Sequence, residues 1–133
     1  MKPRSSPKPA SVPPVSARGV ALDLLARVLE QRRPLEEAFE RHPDLGTLEN
    51  RDRQFVRALT AATLRNLARI DRVLALCLEK PLPERARRIR NVLRLGAAQL
   101  LFLGTPAHAA VDSMVALTAG FSGAAGFKGL VNA

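Results

Sequence analysis

The sequence predicts an all-α protein: a compact bundle of about seven helices behind a disordered, basic, proline-rich N-terminal arm. Three observations carry that prediction. Apolar residues recur at three- and four-residue spacing in successive segments, each bounded by proline, glycine or a capping residue. No stretch alternates apolar and polar residues as a half-buried strand does, and aromatic residues make up only 4% of the chain. The length, 133 residues with 47% hydrophobic, suffices for one core and not for two full domains.

Residues 1 to 18 contain five of the ten prolines, four basic residues and no acid. That composition cannot bury a core, so the arm is placed at residues 1–16 and the folded domain at 17–133. Ser16 is the expected cap of a first helix, in which Ala17, Val20, Ala21, Leu24 and Val28 form the apolar stripe as far as Glu30. Pro34 closes the next turn, and a short acidic helix from Leu35 to Arg41 ends before His42-Pro43. From Arg51 to Leu78, residues Phe55, Leu59, Ala62, Thr63, Leu67, Ile70, Val73, Leu74 and Cys77 share one side of a helical wheel. The segment is either one long helix or two with a bend near Asn66.

Pro81 and Pro83 break the chain, and Glu84 is expected in the first turn of a helix whose apolar face is Ile89, Leu93, Gly96, Leu100 and Leu103. Gly96 in a helix interior costs about 1 kcal/mol relative to alanine, which implies a close approach of a neighbouring backbone. Thr105 before Pro106 is a helix start signal for a segment reaching about Ala119. A Ser/Gly/Ala-rich loop follows. Phe127, Leu130 and Val131 then open one more helix that the sequence does not complete, which suggests a chain that stops before a further domain.

Charge narrows the partner. The formal net charge is +9 at pH 7. It resolves into +4 for residues 1–18, −3 for 19–50, +8 for 51–94 and zero for the remainder. Seventeen of the 21 basic residues are arginine, whose planar fork binds phosphate bidentately, although GC-rich coding produces the same bias. Arg65, Arg69 and Arg72 lie at i, i+4 and i+7, and Arg87, Arg90 and Arg94 repeat the pattern in the next helix. A solvated outer face would explain both stripes, but such a face mixes in acids, and here only Asp71, Glu79 and Glu84 are near. A polyanion that neutralises the stripes is therefore expected. Stacking platforms are not: there is no Trp or Tyr, and Phe39, Phe55 and Phe102 fall on apolar faces. No short helix pair of the DNA-reading kind stands out either.

Catalytic and metal-binding equipment is sparse. One cysteine and two histidines exclude an internal disulfide and make a structural metal site improbable, which fits a reducing, cytoplasmic setting. Cys77 is expected in the core, since no base is placed to activate it. His108 is expected to bond or pack at a helix start, and His42 to sit in a loop. Gly120, Gly123, Gly126 and Gly129 follow no strand, so a dinucleotide reading fails its context. The longest apolar stretch, Leu95 to Leu103, is too short to span a membrane, and the N-terminus lacks the apolar run of a secretory signal. No catalytic residue, cofactor site or metal site is assigned to this chain.

The last third of the sequence carries a resemblance. Leu95-Gly96-Ala97-Ala98-Gln99-Leu100-Leu101-Phe102-Leu103, then Thr105-Pro106-Ala107-His108-Ala109-Ala110-Val111-Asp112, and finally Lys128-Gly129-Leu130-Val131-Asn132-Ala133 resemble the signature of the NusB-like N-terminal domain of RsmB (Sun/Fmu) proteins. Ala17-Arg18 with Ala21 and Leu25, and Thr63-Leu64-Arg65 with Ile70-Asp71, are looser matches. Ala98 departs from the pattern where an aromatic is common, and Ser113-Met114 replaces an acidic-small pair. The resemblance implies a bacterial 16S ribosomal RNA cytosine-C5 methyltransferase that uses S-adenosylmethionine. Its catalytic half, with the cofactor site and two working cysteines, would follow Ala133, and Cys77 matches neither cysteine.

For this chain the resemblance implies an RNA-binding helical domain that positions 16S rRNA and docks its own C-terminal methyltransferase domain. Phosphate contacts are assigned to Lys2, Arg4, Lys8, Arg18, Arg65, Arg69 and Arg72. The alternatives are a free-standing NusB-type transcription antitermination factor and a protein-interaction module. Ala109-Ala110-Val111-Asp112 and Val131-Asn132-Ala133 resemble the methyltransferase wording more than that of the antitermination factors.

Overall fold

The structure, a computed structural model, describes residues 16–80 and 82–118. Six α-helices and two 3-10 turns occupy them: α1 Ala17–Glu30, α2 Leu35–Arg41, a turn at Leu45–Thr47, α3 Asn50–Arg65, α4 Leu67–Cys77, a turn at Glu84–Ala86, α5 Arg87–Phe102 and α6 Ala107–Thr118. Among the described residues there is no strand, and the all-α class expected from the sequence holds. The expected arm up to residue 15, the glycine-rich loop and the helical turn at 127–131 lie outside the described residues.

Helix α5 is the centre of the bundle and packs against α1, α3, α4 and α6, while α1 also meets α2 and α3. The shared core is built from Leu22, Leu24 and Leu25 of α1, Val56 and Leu59 of α3, Ile70 of α4, and Val92 and Leu95 of α5, all buried. Helix α1 starts as its sequence predicts. The Ser16 hydroxyl accepts the Gly19 N–H at 3.0 Å, and a Cβ on residue 19 would come within 2.9 Å of that hydroxyl, so glycine leaves room for the cap. The helix ends through Arg32 in the left-handed region at φ 58°, which returns the Arg33 N–H to the Arg27 carbonyl at 3.3 Å.

The long middle segment is two helices. At Asn66 the backbone leaves helical geometry (φ −111°, ψ 21°), and the Asn66 side-chain amide donates to the Ala62 carbonyl at 2.9 Å, satisfying the broken end of α3. Thr60 and Thr63, both buried, donate to the carbonyls four residues back at 2.8 and 2.7 Å. Beyond the bend the predicted apolar stripe is only partly covered. Ile70 is buried, but Val73 and Cys77 are exposed, as is Leu76, so the expectation of a core cysteine is corrected.

Helix α5 is rotated from the predicted face. Its buried residues are Ile89, Asn91, Val92, Leu95, Ala98 and Gln99, whereas Leu100 points outward. The polar Asn91 and Gln99 lie inside because each has a partner. Asn91 accepts from Arg94 at 3.0 Å, and Gln99 accepts from Arg18 and donates to the Leu95 carbonyl at 3.3 Å. Glu84 opens a 3-10 turn rather than the helix itself. The close approach at Gly96 is to a side chain, not a backbone: a Cβ there would meet Met114 Cγ of α6 at 3.1 Å. The start of α6 shifts by one residue. The Pro106 carbonyl accepts the first helical bond, from Ala110, so Pro106 and not Thr105 is the capping residue. Thr105 donates its N–H to the Gln99 carbonyl at 3.1 Å across Gly104, whose φ is +69°.

Candidate nucleic-acid interface

The α3–α4 bend places Arg65 in the last turn of α3 and Arg69 and Arg72 on one face of α4. All three are exposed, and none has an ion pair, hydrogen bond or ring contact among the described residues. Asp71 stands between Arg69 and Arg72 in sequence but is engaged elsewhere. It receives both Nε–H and an Nη–H of Arg94 at 2.8 Å, a bidentate fork that joins α4 to α5. The arginines of α4 are thus left without compensation.

That fork dissolves the second predicted stripe. Arg94 is largely buried, with 15% of its side chain exposed, and works as a strut. Arg90 donates to the Leu82 carbonyl at 3.2 Å, and Arg88 lies 3.7 Å from Asp23 of α1. Arg87 and, in the preceding turn, Arg85 project outward, and Arg88 is exposed as well although it leans toward Asp23. The sequence cannot separate the two stripes because the partners, Asp71, Leu82 and Asp23, come from other elements.

Arg18 is held within the bundle. Its Nε–H donates to Gln99 Oε1 at 2.9 Å, and its guanidinium lies over the Phe55 ring at 4.9 Å from the centroid. Burial pushes its pKa below the usual guanidinium value. Arg18 therefore joins α1 to α3 and α5 and is not grouped with the exposed row. Lys2, Arg4 and Lys8 lie outside the described residues.

An open groove of about 470 Å³ runs between α3 and the end of α5. Gln54, Ala58, Ala61 and Arg65 form one wall, and Phe102 and Leu103 stand across from them. Arg57 also lines it, but its guanidinium is bonded to Glu36 at 2.6 Å and stacked on Phe39 at 4.2 Å. The Arg57 hydrogen bond holds the Glu36 carboxyl below its ordinary value and raises Arg57 in turn. Phe102 is 38% exposed, so the expectation of a purely apolar setting for it is corrected.

The two histidines divide. His108 is exposed, whereas His42 is buried where α2 ends. Its Nδ1 accepts the Asp44 N–H at 3.1 Å, so the neutral ring carries its proton on Nε2, which donates to Asp23 Oδ2 at 3.3 Å. The loop position is legible in the sequence; the burial is not. Among the described residues no group of three or more His, Cys, Asp or Glu could hold a metal ion, and no helix is long and apolar enough to cross a membrane.

The described residues define the class of an all-α helical bundle with an exposed arginine row along α3 and α4. Kinship with known proteins sharpens that class. The sequence profile of the NusB family matches residues 15–133, and the chain belongs to that family. It is 31% identical over 119 residues to the ribosomal RNA small subunit methyltransferase B of Pasteurella multocida, covering 89% of this chain and 26% of the relative. With the protein of the same name from Xanthomonas campestris it shares 39% over 102 residues, covering 76% of this chain and 23% of the relative. The chain thus spans about a quarter of the length of the curated relatives it matches.

Proposed function

We propose that this chain is the RNA-binding domain of a ribosomal RNA small-subunit methyltransferase, positioning 16S rRNA for a cytosine-C5 methyltransferase domain of the same cytoplasmic protein. That second domain would carry the S-adenosylmethionine. The reading is supported by family membership, by the name of the relatives, and above all by one observation. Arg65, Arg69 and Arg72 are exposed and unpartnered among the described residues, while the nearby Asp71 is turned inward to Arg94. Such contacts orient an RNA by its phosphates without reading its bases. Lys2, Arg4 and Lys8 are assigned to the same backbone contacts. Arg18 contributes through its position under the groove helices rather than as a free cation.

A salt titration tests the reading. Wild-type chain and a triple charge-reversal variant, R65E/R69E/R72E, are titrated against a helix-loop of small-subunit rRNA at several salt concentrations. Removing one phosphate neutralisation lowers the slope of log affinity against log salt by roughly 0.7–0.9, so the variant's slope falls by roughly 2 to 3. An unchanged slope and affinity in a variant with the wild-type melting profile refutes the assignment.

A further inference from the structure

Arg94 belongs to the charge around the arginine row, yet each nitrogen of its guanidinium is already engaged. Nε–H and one Nη–H group donate to the two oxygens of Asp71 at 2.8 Å, and the other Nη–H group donates to Asn91 Oδ1 at 3.0 Å. Asn91 is buried, so the fork is fixed to the core side of α5 behind and to α4 in front. Asp71 keeps 41% of its side chain exposed, and its carboxylate is open to the solvent from which a polyanion approaches. It precedes Arg72 by one position and follows Arg69 by two. Residues one and two apart on a helix do not face each other, so neither arginine can cancel that carboxylate along α4. The cancelling charge comes from α5.

We propose that Arg94 is a positioning residue of the arginine row: it takes no phosphate itself, and by cancelling Asp71 it sets how strongly Arg65, Arg69 and Arg72 hold an RNA backbone. The inference rests on the RNA-binding reading and deepens it, adding a residue of α5 that controls a surface built on α3 and α4. Without Arg94, a bare carboxylate stands beside the row and offsets one of its cations. Without Asp71, Arg94 becomes an unopposed cation on the same side. Breaking one fork from its two ends therefore moves binding in opposite directions. A strut that only held α4 against α5 behaves otherwise, because either loss loosens α4 and both weaken binding.

The test uses the whole 133-residue chain and a helix-loop of small-subunit rRNA, titrated from about 0.1 to 1 M salt. Arg94→Met, Asp71→Asn and the double variant are compared with wild type, and far-UV circular dichroism melts establish that each is folded at the assay temperature. Offsetting one phosphate contact lowers the slope of log affinity against log salt by roughly 0.7–0.9, or about sixfold in affinity at 0.1 M for curves that meet near 1 M. Arg94→Met is expected to weaken binding about three- to sixfold at 0.1 M with that fall in slope, and Asp71→Asn to strengthen it by a similar factor with a steeper slope. The double variant is expected to return to within about twofold of wild type. Arg33→Met, which removes a cation paired with Glu37 in the α1–α2 connection, is expected to stay within about twofold as well. If Arg94→Met does not fold, Asp71→Asn and the double variant decide the matter alone. Weaker binding in Asp71→Asn, or a double variant weaker than about threefold below wild type, overturns the proposal in favour of a strut. A loss in Arg33→Met equal to that in Arg94→Met overturns it as an effect of net charge. Wild-type affinity in both single variants overturns it too, while the row itself stands or falls by R65E/R69E/R72E. Wild type that does not bind the rRNA overturns both readings together.

Discussion

The contact between Arg18 and Gln99 offers the sharpest test of how this bundle is held. Gln99 is fully buried, receives the Arg18 Nε–H at 2.9 Å, and gives its own amide protons only long contacts, 3.3 Å to the Leu95 carbonyl and 4.0 Å to the Met114 sulfur. Replacing it with leucine, of similar volume, removes a hydrogen bond to a charged group, worth about 1.5–3 kcal/mol. Burying an apolar group where an amide stood offsets about 1 kcal/mol of that. Arg18 is half-buried and keeps the Phe55 ring, so water can satisfy the released N–H. Gln99→Leu is expected to cost about 1–2 kcal/mol, roughly 3–10 °C in melting temperature for a domain of this size. The assay is far-UV circular dichroism in heat and urea, since the chain has no Trp or Tyr to report by fluorescence. Arg18→Met and the double variant complete a cycle, with an expected coupling of about 1 kcal/mol. Single effects that add to within about 0.3–0.5 kcal/mol would show that the two side chains do not share a bond, and the reasoning would fail.

Other expectations follow from the same geometry. Gly96→Ala is expected to be within about 0.5 kcal/mol of neutral, because helix propensity gains what displacing the flexible Met114 side chain costs; a drop above about 2 kcal/mol in melts would mean that backbone, not side chain, faces Gly96. Arg32→Gly is expected to stabilise by about 0.5–1 kcal/mol, by relieving the left-handed backbone at φ 58°, and a lower urea midpoint would contradict this. The Glu36 carboxyl is depressed by Arg57, so its contribution is present above the unfolded carboxylate value and lost as pH falls through the folded one. The stability gap between wild type and Glu36→Gln should therefore be small at neutral pH and close in acid; a gap that widens on acidification reverses the sign.

How much of this is legible in the sequence depends on where each residue's partner lies. Ser16, Glu30, Leu35 and Arg41 bound helices that local signals alone identify, and both ends of α1 and α2 agree with them. The phase of α5 departs from the sequence reading for a physical reason. Polarity alone places Asn91 and Gln99 in solvent, yet both are buried against arginine donors, one within α5 and one from α1. His42 is the same case, its burial decided by Asp23, nineteen residues earlier. In the candidate site, the exposed row Arg65, Arg69 and Arg72 can be read from helical spacing. The withdrawal of Arg90 and Arg94 cannot, since it depends on the Leu82 carbonyl and Asp71. Phe102 is hidden by the same phase error that places Leu100 inside.

With Asp71 drawn down to Arg94, like charges on α4 repel one another in the free protein and relax only when counterions gather. Added salt should then pull in opposite directions: it strengthens the unliganded fold while loosening any bound polyanion. A melting curve recorded with heparin present should thus lose its advantage as salt rises, while the bare domain climbs slightly. The crossing of those two curves would weigh internal repulsion against ligand attraction on a single temperature axis.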